Sequence, residues 1–238
     1  DAPQTRTALL FSLYATDPWV QSIMAVIAQQ EAVHNESYSY VLSSVVSLDQ
    51  QNESFELGRK DPILLKRNEQ ITKQYNRFVE EPTMENILKT MTYTLLLEGM
   101  FFYSGFAFFY NLARHNKMVG TSTMVSYINR DELEHGRYIS ELFRATLAEN
   151  PEYNTPEFTN WVYEAFKNSV DLEIEWSTYV LEGIEGIDLT EMAGYVKYRA
   201  NKMLRMMGLS EIYPDYVDNP MKWIRAYVDN FDGTKTDF

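Results

Sequence analysis

An all-α fold, a helical bundle with a two-metal site in its core, is what this sequence predicts, and three observations carry the prediction. Strand signals are absent, and long helical stretches fill the chain nearly throughout. Turn signals fall where helices should begin: Asp17-Pro18, Asp61-Pro62, Thr83 after Pro82, and Thr155-Pro156 each offer a capping side chain or a proline for a first turn. Two copies of Glu-x-x-His, Glu31/His34 and Glu132/His135, lie in such stretches, with the lone carboxylate Glu98 in an apolar run between them. Four-helix bundles build carboxylate-bridged metal pairs from this kind of set.

Taken in order, the first helix is expected over 18–47, opened by Asp17 and Pro18. A second follows over 62–80 behind Asp61-Pro62. The third, over 84–114, is the least polar stretch: between Lys89 and Arg114 the only charge is Glu98, among Leu95, Leu96, Leu97, Phe101, Phe102, Phe106, Phe108 and Phe109. A membrane span is the competing reading. Thr90, Thr92, Tyr93, Thr94, Tyr103, Ser104 and Tyr110 make the stretch less apolar than a lipid-facing helix, so it is taken as the innermost helix of the bundle. Helices over 121–148, 156–182 and 189–207 complete the frame, the last closed by Gly208. Asn219-Pro220 then starts a short final helix carrying Trp223. No repeat beyond the two motifs and no low-complexity linker divides the chain, so 1–238 is read as one domain.

Composition narrows the function. The 238 residues are 45% hydrophobic and 23% charged, enough for one sizeable core. A formal net charge of −13 with scattered Lys and Arg leaves no basic stripe to follow a phosphate backbone, so direct nucleic-acid binding is not expected. With no cysteine, this sequence forms no disulfide and supplies no thiolate ligand, which fits a cytoplasmic protein. No basic-then-apolar leader opens the sequence as it stands, and position 1 is Asp, so an upstream segment is expected to be missing.

Helical geometry then gathers the chemistry. Positions i and i+3 share a helix face, so each Glu-x-x-His offers one oxygen and one imidazole nitrogen to one ion. Tyr38 continues the face of Glu31 and His34, as Phe102 and Phe106 continue that of Glu98, and Ile128 that of Glu132 and His135. A solvated polar face is the ordinary reading of a single Glu-x-x-His. Ile23, Val26, Ile27, Val33 and Val41 around the first copy argue against it, and so does the apolar setting of Glu98, where an unpaired carboxylate costs several kcal/mol. The phenylalanine rows alone are core packing.

The strings Glu31-Ala-Val-His34-Asn-Glu-Ser-Tyr38, Glu98-Gly-Met-Phe-Phe102-Tyr-Ser-Gly-Phe106 and Arg130-Asp131-Glu132-Leu-Glu-His135 resemble the metal-binding helices of the class I ribonucleotide reductase small subunit. That is the radical-generating β chain, of ferritin-like fold. The resemblance extends to Tyr195-x-x-Tyr198-x-Ala200-Asn201 and Asn219-Pro220-x-x-Trp223. It implies that Glu31, His34, Glu98, Glu132 and His135 hold two metal ions, iron, manganese or one of each. A sixth ligand is expected at Asp1, from the match of Asp1-Ala-Pro-Gln4 to the end of the family's Leu-Asp-x-x-Gln pattern, with Asp17 as fallback. Tyr38 matches the radical tyrosine, Phe102, Phe106 and Ile128 the residues that shield it, and Asp131 a carboxylate that orients His34. A homodimer, a separate large subunit bearing the reactive cysteines, and an activating flavoprotein for a manganese pair are the partners implied. The family's N-terminal segment and C-terminal docking tail are expected to lie outside this sequence. Two alternatives keep the ligands and change the use: a two-metal oxidase or hydroxylase with a channel beside Tyr38, and a ferritin-like metal store.

Overall fold

The computed structural model describes residues 2–228. Among them there is no strand, and the chain divides into two compact units, Asp1–Thr90 and Met91–Phe238, with the division falling inside one helix.

In the first unit, α1 (Ala2–Tyr14) packs against α2 (Pro18–Val45), followed by α3 (Leu48–Lys60), α4 (Pro62–Glu80) and the first half of α5 (Met84–Leu96). Short polar side chains set the boundaries. Asp17 accepts hydrogen bonds from the backbone N–H of Trp19 and Val20, and Asp61 from Ile63 and Leu64, each just ahead of a proline at the first turn. Ser47 and Gln50 form a reciprocal capping box at the start of α3. Phe78 of α4 ties α1 in, its ring centroid 5.0 Å from Phe11 and 5.7 Å from Tyr14. Gln74 of α4 donates to Asn86 O and Thr90 Oγ1 of α5, which satisfies polar groups that burial would otherwise strand.

Two helices here have no counterpart in the sequence reading. For α1 the apolar residues are spread around the helix, so no periodic face marks it. For α3 no side chain is buried; Ser47 with Gln50 three residues on, and Arg59 and Lys60 in its last turn, were the signals available. That cap also stops α2 at Val45, short of the expected 47.

In the second unit, α5 continues into a π-helical turn (Leu97–Phe101) and α6 (Phe102–Arg114), so the expected helix over 84–114 exists as one run with a local insertion at Glu98. The long apolar segment Met84–Arg114 would pass as a span by length and hydropathy, yet 67% of its most apolar window is buried inside the protein. It is an interior helix. Then come α7 (Val119–Glu149), α8 (Pro156–Leu181), α9 (Leu189–Met206) and α10 (Arg225–Val228). The helices α6 with α7, and α8 with α9, make the main pairs. Leu95, Leu96, Met100, Ala107, Val125, Phe166, Val170, Ala200 and Leu204 fill the core between them.

The end of α9 follows its sequence. Gly208 adopts φ 79°, and the N–H of Leu209 bonds Leu204 O at 2.9 Å, closing a Schellman-type cap. Asn201, fully buried, then latches the following segment: its amide donates to Tyr213 O and Tyr216 O and accepts from the N–H of Ile212 and Tyr213. Trp223 donates to Glu191 through its indole N–H and stacks under Arg114, whose guanidinium carbon is 3.9 Å from the ring centroid.

Candidate metal centre

Each ligand candidate arrives on a helix through local spacing. On α2, Glu31 and His34 are both buried, Oε1 3.6 Å from Nδ1, as i and i+3 on one face require. On α7, Glu132 and His135 repeat the arrangement, Oε2 3.3 Å from Nδ1. Glu98 reaches the same place from the π-helical turn, its Oε2 3.2 Å from His135 Nδ1. One ligand atom from each of Glu98, Glu132 and His135 lies within 4.8 Å of the others, and all three residues are buried.

The π-helical turn is what lets Glu98 take part. One extra residue in the turn rotates the carboxylate relative to a regular α-helical path, a device that recurs at functional sites. A Cβ at Gly99 would meet the side chain of Met203 of α9, which would have to move to admit it. Arg199 of α9 bonds the turn directly, its Nε donating to Gly99 O at 2.9 Å.

Two buried carboxylates and an imidazole within a few ångströms are a poor structural device without a cation, because taking carboxylates out of water is costly and they repel one another. Oxygen and imidazole donors with no thiolate suit iron or manganese. The residues present therefore fit a carboxylate-held dinuclear metal site. The third histidine is not of this kind: His115 ends α6 with its Nδ1 2.8 Å from Asn111 O.

The remaining expectations fare unequally. Phe106 and Ile128 are buried, while Phe102 and Tyr38 are half-buried, and the rings of Phe102 and Phe106 lie 6.3 Å apart. Asp131 is part-buried on α7, its Oδ1 3.6 Å from Arg130 Nη2. Asp17 is exposed and occupied as the α2 cap, which removes it as a fallback ligand. Asp1 lies outside the described residues. The apolar flank of the first motif is also split: Ile27 is buried, but Ile23, Val26 and Val33 face outward.

Sequence reasoning missed Tyr103, Tyr195 and Arg199. Tyr103 and Tyr195 are 1% exposed, and burial pushes the Tyr103 phenol up to about 12 and the Tyr195 phenol well above its ordinary value. Arg199, also 1% exposed, lies with its guanidinium carbon 3.4 Å from the Tyr103 ring centroid. No local pattern announces a buried arginine. Only its place between Tyr195 and Asn201 on a helix with an apolar face hinted at burial.

Residues 1–220 match the family described as ribonucleotide reductase, small chain. The chain belongs to that family. It is 45% identical over 239 residues to the ribonucleoside-diphosphate reductase subunit beta of Halalkalibacterium halodurans, covering all of this chain and 69% of that one. The subunit beta of Treponema pallidum is 33% identical over 241 residues, again across all of this chain and 68% of the relative. Among solved structures, the ribonucleotide reductase R2 subunit from Clostridium botulinum superposes with a TM-score of 0.90 at 35% identity, over 94% of this chain and 71% of that one. The small chain is thus the β subunit of a ribonucleoside-diphosphate reductase, a ferritin-like helical protein that works with a large subunit. The hydroxylase and metal-store alternatives fall away, since the match runs through the whole chain and not the ligands alone.

Proposed function

We propose that the small chain generates a radical at Tyr38 with a dinuclear centre held by Glu31, His34, Glu98, Glu132 and His135, and by Asp1 as the sixth ligand. The observation that carries the proposal is the convergence of Glu98, Glu132 and His135 on one buried point. Glu31 and His34 repeat the same carboxylate-imidazole pairing on α2, and they too are buried. Asp1 rests on the family resemblance alone.

When bound and oxidised, an iron pair, a manganese pair or a mixed pair supplies a one-electron oxidant. The chain's own residues do the rest. The carboxylates neutralise the cations, and the imidazoles fix their positions. Asp131 orients His34, which holds that ring in the tautomer a ligand needs. Phe102, Phe106 and Ile128 keep water from the Tyr38 ring, so that its radical persists. A manganese pair further calls for an activating flavoprotein.

Ribonucleotide reduction itself belongs to cysteines of the large subunit, which fits a sequence with no cysteine of its own. We place the working protein in the cytoplasm as a homodimer. The dimer reading is supported by α2, where Trp19, Ile23, Val26, Val33 and Tyr40 repeat at spacings of three, four and seven and are all exposed. Such an apolar stripe is the usual seam of a helix pair.

Electron paramagnetic resonance after metal loading and exposure to oxygen tests the proposal, with the flavoprotein added for manganese. A tyrosyl signal that disappears in Tyr38→Phe while bound metal is retained is the expected result. A signal unchanged by that substitution would remove Tyr38 from the role.

A further inference from the structure

The carboxylates of the second unit adjoin phenols that the ligand set does not use. Tyr103 sits in α6, close enough to Glu132 and Glu98 for their charge to act on it. Its ring centroid is 6.4 Å from that of Tyr195, and Tyr195 stacks on Tyr198 at 6.2 Å. Tyr103 and Tyr195 are buried, and Tyr198 is half-exposed. These rings form a ladder of oxidisable groups leading from the ligand carboxylates toward solvent. An oxidant strong enough to take an electron from Tyr38 is strong enough, in principle, to take one from Tyr103.

Two features of this structure oppose that loss. The Arg199 guanidinium carbon lies 3.4 Å from the Tyr103 ring centroid, and a guanidinium stays charged at any working pH. The Tyr195 hydroxyl finds no hydrogen-bond partner among the described residues, and the group at the Tyr103 hydroxyl is the Arg199 guanidinium, which donates and cannot accept a proton. Oxidising a phenol to a neutral phenoxyl breaks its O–H bond: one electron goes to the oxidant, which is reduced by one, and the proton goes to an acceptor. Where no acceptor stands at the hydroxyl, the positive charge remains on the ring. At Tyr103 that charge would form against the guanidinium, in a setting of low dielectric where like charges repel strongly.

We infer that Arg199 is a positioning residue for the radical chemistry: its guanidinium over the Tyr103 ring keeps the oxidising equivalent from escaping along Tyr103, Tyr195 and Tyr198. The inference rests on the reading that oxygen and a bound metal pair produce a one-electron oxidant at Glu98 and Glu132. It does not need that oxidant to end on Tyr38. Because Arg199 also donates to Gly99 O, the test separates charge from support. Arg199→Gln keeps an amide donor and loses the cation, whereas Arg199→Lys keeps the cation.

Full-length protein carrying Tyr38→Phe is loaded with iron(II), exposed to oxygen and digested for peptide mass spectrometry, with paramagnetic resonance in parallel. With Arg199 in place, the peptides holding Tyr103, Tyr195 and Tyr198 should remain unmodified. Arg199→Gln should give a new tyrosyl signal that Tyr103→Phe removes, and at least about tenfold more oxidised Tyr103 peptide, as expected from deleting a neighbouring like charge. Arg199→Lys should match the parent. Equal oxidation of Tyr103 with Arg and with Gln at 199, or a Lys variant that behaves as the Gln one, overturns the inference. If Arg199→Gln does not fold, the Tyr38→Phe protein alone still decides against it when Tyr103 is oxidised with Arg199 present. A wild-type protein without a Tyr38 signal, whose Arg199→Gln form oxidises Tyr103, would overturn the Tyr38 reading and uphold this one.

Discussion

His135 Nδ1 lies 3.2 Å from Glu98 Oε2, although 37 residues separate them, and 3.3 Å from Glu132 Oε2, its neighbour one helical turn away. One imidazole nitrogen thus faces two buried carboxylates. Without a cation these acids repel each other, so the site should trade stability against metal binding. Glu98→Gln should raise the stability of metal-free protein by about 1–2 kcal/mol, or roughly 2–8 °C in melting temperature, and should abolish the stabilisation that added manganese(II) or iron(II) gives. Calorimetry with and without metal checks both halves, and a metal-free variant less stable than the parent would contradict the repulsion argument.

Alkaline stability should reflect the buried phenols. Burial raises Tyr103 and Tyr213 to about 12 in the folded protein, and Tyr195 well above its ordinary value. The folded state therefore holds these protons more tightly than the unfolded chain. Their contribution is complete below pH about 10, where unfolded tyrosine stays protonated, and is lost as pH rises through about 12. In an absorbance titration of phenolate, these three tyrosines should titrate only as helical signal is lost.

Asn201 makes four hydrogen bonds with the backbone of residues 212, 213 and 216. Asn201→Ala would leave these groups unsatisfied beside a filled core. It should cost about 2–4 kcal/mol in denaturant unfolding, with faster amide exchange concentrated at Ile212 and Tyr213. Asn201→Asp keeps the two accepted bonds and should fall between the variant and the parent.

The exposed row on α2 gives a test of assembly. Val26→Asp or Val33→Asp places a charge in the proposed seam of the homodimer, where burying it is unfavourable. Light scattering should report a mass near half that of the parent at equal concentration, with helical content unchanged. A parent that is itself monomeric would discard the dimer reading.

Much of this molecule could be read from its residues because the relevant physics is local. Glu-x-x-His presents two ligands on one helix face at any depth in the fold, and Asp17, Asp61 and Gly208 end or begin helices through bonds to neighbouring backbone groups. Two helices went unread: α3 buries nothing and shows itself through its capping box and charged ends, and α1 spreads its apolar residues around the helix. The apolar flank of Glu31 misled in part, because hydrophobicity does not say which side of α2 faces inward.

What the sequence by itself determined is the helical class, the caps and the pairing of each carboxylate with its imidazole, since these depend on residues within one or two turns of each other. Only tertiary structure decided that Glu98 comes from a π-helical turn bonded to Arg199 and packed on Met203, that Tyr103 lies under a guanidinium, and that Asn201 holds the segment beyond α9. Each of those depends on groups brought together from distant parts of the chain, and it is the close packing of separate helices that selects which of their faces meet.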